Sequence, residues 1–126
     1  MAESGNPAPG FKSNPDKKIA IEPHDGTVTV RHGDTVIATS NKALRLAEDD
    51  YPVVFYIPFE DIRFEMLSRT VTSTHCPYKG DASYWQMGLP GDAGRDIMWA
   101  YEAPYDEAAA IKDHGAFYAD RVNVEG

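Results

Sequence analysis

Residues 27–39 read Thr27-Val28-Thr29-Val30-Arg31-His32-Gly33-Asp34-Thr35-Val36-Ile37-Ala38-Thr39. Val28 and Val30 alternate with Thr27, Thr29 and Arg31, the β-branched period-two pattern of a half-buried strand. Gly33-Asp34 supplies turn chemistry, and Val36 and Ala38 take the inward positions of a returning strand. Strand, hairpin, strand is the expectation. Upstream, Ile19 and Ile21 alternate with Lys18, Ala20 and Glu22 before the turn residues Pro23-His24-Asp25-Gly26.

Downstream, Ser40 or Asn41 can cap a short helix over Lys42–Ala47, where Ala43, Leu44 and Ala47 fall at helical spacing. Val53–Ile57 is a dense β-former run between Pro52 and Pro58, and Phe59–Asp61 reads as a turn. Ile62, Phe64 and Met66 then alternate with Arg63 and Glu65, and Arg69–Thr74 is Thr/Val-rich and extended. Past Pro77 and Gly80, the runs Ala82–Leu89 and Arg95–Glu102 form an antiparallel hairpin in which Ile97, Trp99 and Tyr101 share a face. Pro104 suits the first position of a helix over Tyr105–Lys112, which Gly115 can end. Phe117–Val124 supplies a closing strand. About seven short strands and two short helices make a mainly-β chain.

The chain has 126 residues, one domain's worth, with 42% hydrophobic and 25% charged residues. Met1–Pro15 is small, polar and Pro/Gly-rich and reads as a flexible tail, leaving residues 16–126 as a single domain in which no linker is visible. Acidic residues outnumber basic ones by 20 to 12, giving a net charge of −8. Such a surface repels phosphate backbones, so nucleic acid is not an expected partner. The longest apolar run, in Val53–Ile57, falls far short of the roughly 20 residues of a membrane helix, so no membrane association is expected. One cysteine allows no internal disulfide, and no basic segment followed by an apolar core opens the chain; both lead to the expectation of a cytoplasmic protein.

Reactive groups are densest in Thr74-His75-Cys76-Pro77-Tyr78-Lys79-Gly80. In extended chain His75 and Cys76 point to opposite faces and cannot pair, whereas a turn at Pro77 can bring Lys79 back toward the thiol. His24, His32, His75 and His114 are scattered, without the spacing of a metal site, so no metal and no cofactor is expected. Gly88, Gly91 and Gly94 recur every third residue, but they lie between two strands and lead into no helix, so turn geometry explains them better than a phosphate loop. The acids Glu48-Asp49-Asp50 read as solvated surface, while Asp61, in a turn between strands, can be aimed inward. Alternation sends Tyr84 and Trp85 to opposite faces, and likewise Phe55 and Tyr56.

The sequence resembles the family catalogued as domain of unknown function 427. The resemblance is carried by Cys76-Pro77-Tyr78-Lys79-Gly80 with Ala82 and Tyr84, and by Pro52-Val53-Val54-Phe55-Tyr56-Ile57-Pro58 with Asp61-Ile62. Ile37-Ala38, Ala43-Leu44, Glu48, Trp99-Ala100-Tyr101-Glu102-Ala103-Pro104 and Gly115-Ala116-Phe117-Tyr118 complete it, over roughly Ile19 to Val124. It implies two small antiparallel sheets in a tent-like arrangement, similar in outline to the zinc-binding Mss4-like proteins. The paired cysteines of those zinc sites are missing, so no metal follows. The family has carried a nucleotidyltransferase-like label, for which the chain shows neither a phosphate loop nor a metal-binding carboxylate pair. Cys76, Lys79, Gly80 and Tyr84 match its most distinctive polar stretch, and Tyr56, Asp61, Trp99 and Tyr101 match neighbouring positions.

Three functions follow from these residues. In the first, a small molecule binds in a pocket of Tyr56, Cys76, Lys79, Tyr84, Trp99 and Tyr101, with Lys79 offering a cation to an anionic group. In the second, Cys76 acts as a nucleophile or redox group assisted by Lys79 or Asp61. In the third, the chain is an interaction module that associates with copies of itself through a sheet edge or an aromatic patch.

Overall fold

A computed structural model describes residues 6–49, 51–88 and 94–126. Ten strands occur among them: β1 Ile19–Pro23, β2 Val28–His32, β3 Thr35–Ser40, β4 Leu44–Glu48, β5 Val54–Pro58, β6 Leu67–Cys76, β7 Gly80–Met87, β8 Met98–Ala100, β9 His114–Phe117 and β10 Asn123–Glu125. Seven form one sheet in the order β1-β4-β5-β9-β8-β7-β6, and three form another in the order β10-β2-β3. All of the strand pairs are antiparallel. The protein is mainly β, in two antiparallel sheets.

The β2–β3 hairpin turns at Gly33, whose φ of +59° lies in the left-handed region that glycine enters without steric cost. Its register passes from Val30↔Ala38 to Arg31↔Val36, leaving Ile37 as a bulge. Ile37 and Ala38 are consequently both buried, and Val36 is only half-buried. Strict alternation, which pointed Val36 inward, misses this.

The large sheet separates two apolar clusters. On one side Ile57, Trp85, Met98 and Phe117 pack against Val28, Val30, Ile37 and Ala38 of the small sheet. On the other, Leu46, Tyr56, Tyr84, Tyr101 and Ala116 pack with Ala108 and Ile111. Neighbouring residues such as Tyr84 and Trp85 thus serve opposite faces, as period two requires. The second face carries the candidate site.

Four local expectations are corrected. Lys42–Ala47 is not helical: β4 is flanked on both sides, with Ile19↔Glu48 and Leu44↔Tyr56 in register, and this pairing overrides helical spacing. Ile62–Met66 does not continue as a strand, because Phe59–Asp61 and Phe64–Met66 are 3₁₀ turns. Their rings meet edge to face at 5.0 Å, and both contact Trp85. Tyr105–Lys112 forms a kinked 3₁₀ segment, Asp106–Ile111, with Ala108 outside helical dihedrals. Phe117–Val124 divides between β9 and β10, which belong to different sheets.

Within the segment expected to be a tail, Gly10–Ser13 makes one α-helical turn, α1. Ala8 is buried, the Gly10 N–H donates to the Pro77 carbonyl at 2.9 Å, and the Phe11 ring stands edge-on to Tyr78 at 5.1 Å. The expected loop around Pro90-Gly91, the residue Asp50 and the first five residues lie outside the described residues.

Gly115 sits where a Cβ would fall 2.7 Å from the Met98 sulfur and 2.9 Å from Ile62 Cδ1. Gly115→Ala is expected to cost about 1–3 kcal/mol in urea unfolding, through overpacking. The cost should shrink in a Met98→Ala background, because the sulfur that is struck has been removed.

Candidate functional site

Strand β4 places Leu46 and Glu48 two residues apart, so they share the face of the large sheet turned away from the small one. Both line a cavity of about 320 Å³. Tyr56 of β5, Tyr84 of β7 and Trp99 of β8 supply aromatic walls, with Tyr101, Tyr118 and Lys79 completing the interior. Tyr51 and Pro52 also line it, and Tyr51 is largely exposed. Trp99 Nε1–H donates to the Tyr56 hydroxyl at 3.2 Å, and the two rings meet edge to face. The Tyr118 ring lies 4.5 Å from Trp99 and stacks against Tyr84 at 6.5 Å. Tyr84 and Thr74 share a hydrogen bond of 2.9 Å.

The polar end is built from three chain segments. Lys79 closes the turn after β6, its N–H reaching the Cys76 carbonyl at 3.3 Å. Gly80 follows with φ +121°, and a Cβ there would meet the Ala103 carbonyl at 3.3 Å. Glycine therefore lets residues 103–105 cross the turn closely, and Tyr105 N–H bonds the Lys79 carbonyl at 2.9 Å. The side chain of Lys79, buried to 10% exposure, donates to Glu48 Oε1 at 2.6 Å. Lys17, brought in by the N-terminal segment, reaches Glu48 Oε2 at 2.9 Å and Asp49 Oδ2 at 3.2 Å.

Burial works to raise the Glu48 carboxyl, but hydrogen bonds from Lys79 and Lys17 outweigh it and hold the group below its ordinary value of 4.5. The bond to Glu48 is the main cause that raises Lys17. Burial is the leading reason that the hydroxyls of Tyr56, Tyr101 and Tyr118 are all pushed up. These phenols stay protonated across the physiological range and remain hydrogen-bond donors.

Five of the residues expected in a pocket, Tyr56, Lys79, Tyr84, Trp99 and Tyr101, come together in this cavity. Cys76 is half-buried beside it, with Sγ 4.0 Å from Lys79 Nζ, and is not among the lining residues. Asp61 is elsewhere: it accepts the Ser40 hydroxyl at 2.5 Å and lines a separate polar hollow with Thr27 and Thr39. It cannot assist Cys76. His75 pairs with Asp81 at 2.7 Å. Among the described residues no three His, Cys, Asp or Glu side chains gather where they could hold a metal ion. No helix among them is long and apolar enough to cross a membrane.

A family model described as Domain of unknown function (DUF427) matches residues 20–126. The chain belongs to the DUF427 family. No match is found among curated proteins. Every residue lining the cavity falls inside the DUF427 stretch, whereas Lys17 falls outside it. Sequence reasoning missed Glu48, Tyr118 and Lys17 as site residues. Glu48 and Tyr118 left a signal, since both recur in the DUF427 resemblance, whereas Lys17 left none.

Because Glu48 is held below its ordinary value, it contributes stability above that range, and the contribution is lost as pH falls through its folded pKa. Glu48→Gln, which leaves two ammonium groups facing a neutral amide, is expected to lower unfolding free energy by about 1–3 kcal/mol at neutral pH. In urea titrations from about pH 7 to about pH 3, the gap between wild type and variant should narrow on acidification. A gap that stays constant or widens contradicts the ionised assignment.

Proposed function

We propose that this DUF427 domain binds a small molecule in the aromatic cavity, recognising it through acceptor atoms on the ligand. The observation that carries this reading is a surplus of donors around the hollow. Among the described residues the Tyr101 hydroxyl has no hydrogen-bond partner. The Tyr56 hydroxyl accepts from Trp99 and leaves its own proton uncommitted. Lys79 has three N–H donors, of which Glu48 takes one and the distant Cys76 sulfur faces another.

These donors face an open hollow rather than sealed protein, so acceptor atoms of a ligand can take the place of water there. The volume of about 320 Å³ stands at the low end for ligand pockets and suits a compact, flat molecule. Aromatic walls would take its body, and an oxygen-bearing end would meet Lys79, Tyr56 and Tyr101. Catalysis through Cys76 draws less support, because the thiol lies outside the lining and, among the described residues, no carboxylate or imidazole is hydrogen-bonded to it.

The protein has two tryptophans, and Trp85 belongs to the opposite face. A Trp85→Phe variant therefore reports the cavity through Trp99 fluorescence. Single-ring carboxylates and amides, phenylacetate and phenylacetamide among them, are expected to change this signal saturably. Tyr101→Phe should weaken the response by about threefold to tenfold, the usual effect of one hydrogen bond. No saturable response to any probe, from protein that melts cooperatively, overturns the reading.

A further inference from the structure

Lys17 lies before the first DUF427-matched residue and outside the cavity lining, yet it is tied into the site more tightly than an ordinary surface lysine. Its side chain is only 9% exposed. The ammonium lies over two rings, 5.3 Å from the Tyr51 centroid and 5.0 Å from that of Tyr78. The backbone leading to it is anchored on the domain, with Gly10 bonded to Pro77 and Phe11 against Tyr78. Side-chain entropy and desolvation both oppose such a placement, so the partners it finds there are what hold it.

Its electrostatic consequence follows from counting charges. Among the described residues, Glu48 and Lys79 are the lining residues besides tyrosines that can carry charge, and paired alone they would make the polar end neutral. Lys17 adds a second ammonium to the same carboxylate. Asp49 balances it formally, but that side chain is 36% exposed, against 9%, 10% and 17% for Lys17, Lys79 and Glu48. Solvent and salt screen the more exposed Asp49 more than Glu48 and Lys79 at the cavity wall. Lys79 and Glu48 at the cavity wall and Lys17 behind them therefore sum to one positive charge inside Asp49, in a protein whose net charge is −8.

We propose that Lys17, delivered by the N-terminal segment, is a positioning residue that sets the charge preference of the cavity, so that the ligand's acceptor end is an anion of the carboxylate class. By occupying the second oxygen of Glu48, it leaves the Lys79 ammonium only partly neutralised and free to meet an incoming anion. This inference rests on the cavity being a binding site.

The test compares phenylacetate with phenylacetamide, which share a body and differ in charge, on full-length protein at low salt. The expected preference of wild type for the carboxylate is about tenfold, as for one partly buried charge contact. Lys17→Met should abolish that preference by weakening phenylacetate alone, and Lys17→Arg should keep it. Asp49→Asn, which removes the outer counter-charge, should strengthen phenylacetate by about twofold to threefold and leave the amide unchanged; this gives an opposite-sign readout if Lys17→Met does not fold. Equal binding of both probes to wild type, an equal loss of both in Lys17→Met, or an Asp49→Asn variant that fails to favour the carboxylate overturns the role of Lys17 while the pocket stands. Absence of saturable binding for both probes overturns pocket and inference together.

Discussion

A carboxylate with little solvent contact keeps its charge only where partners offset its lost hydration, and Glu48 has one ammonium on each oxygen. That contact joins three parts of the chain distant in sequence: the end of β4, the turn between β6 and β7, and the N-terminal segment. It also decides what the cavity is. Without the two lysines burial would push the Glu48 carboxyl upward, and the hollow would lose its ammonium groups. With them, one wall is ionic and the rest is phenol and indole. Buried ion pairs are poor sources of stability compared with apolar packing. An ion pair kept beside an open cavity fits the recognition role proposed above.

The large sheet makes this arrangement possible by dividing labour between its faces. One face is sealed against the small sheet by aliphatic residues, Trp85 and Met98, and supplies apolar burial. The other collects Tyr56, Tyr84 and Tyr101, whose polar tips need partners when buried. Thr74 serves Tyr84, and Trp99 serves Tyr56 in part. Among the described residues, Tyr101 is left to the cavity.

Much of this division was legible in the sequence. Period two separated Tyr84 from Trp85 and placed Trp99 with Tyr101, because side-chain direction in a strand depends only on local order. It also put Ile97 on their face, but Ile97 precedes β8 and packs in the opposite cluster. Lys79 stood out through the concentration of reactive groups around it. What depended on pairing partners far along the chain was hidden. Ala43, Leu44 and Ala47 sit at helical spacing, and only the flanking strands β1 and β5 draw this segment into the sheet. Read as one of a run of acids after a helix, Glu48 looked like solvated surface; as the end of a strand it shares a face with Leu46 and enters the site. Lys17 was concealed for a related reason: its neighbours are polar, and the contacts that fix it lie with Glu48, Tyr51 and Tyr78. Asp61 shows the opposite error, a turn carboxylate aimed inward but toward Ser40.

The account stands on the charge state of Glu48, and carbon-13 NMR of its side-chain carboxyl, followed through an acid titration of the native protein, reads that state directly. A midpoint below the ordinary 4.5 is the predicted result. A midpoint at or above that value would mean that burial prevails over the two ammonium groups, and the ionic wall of the cavity would have to be abandoned.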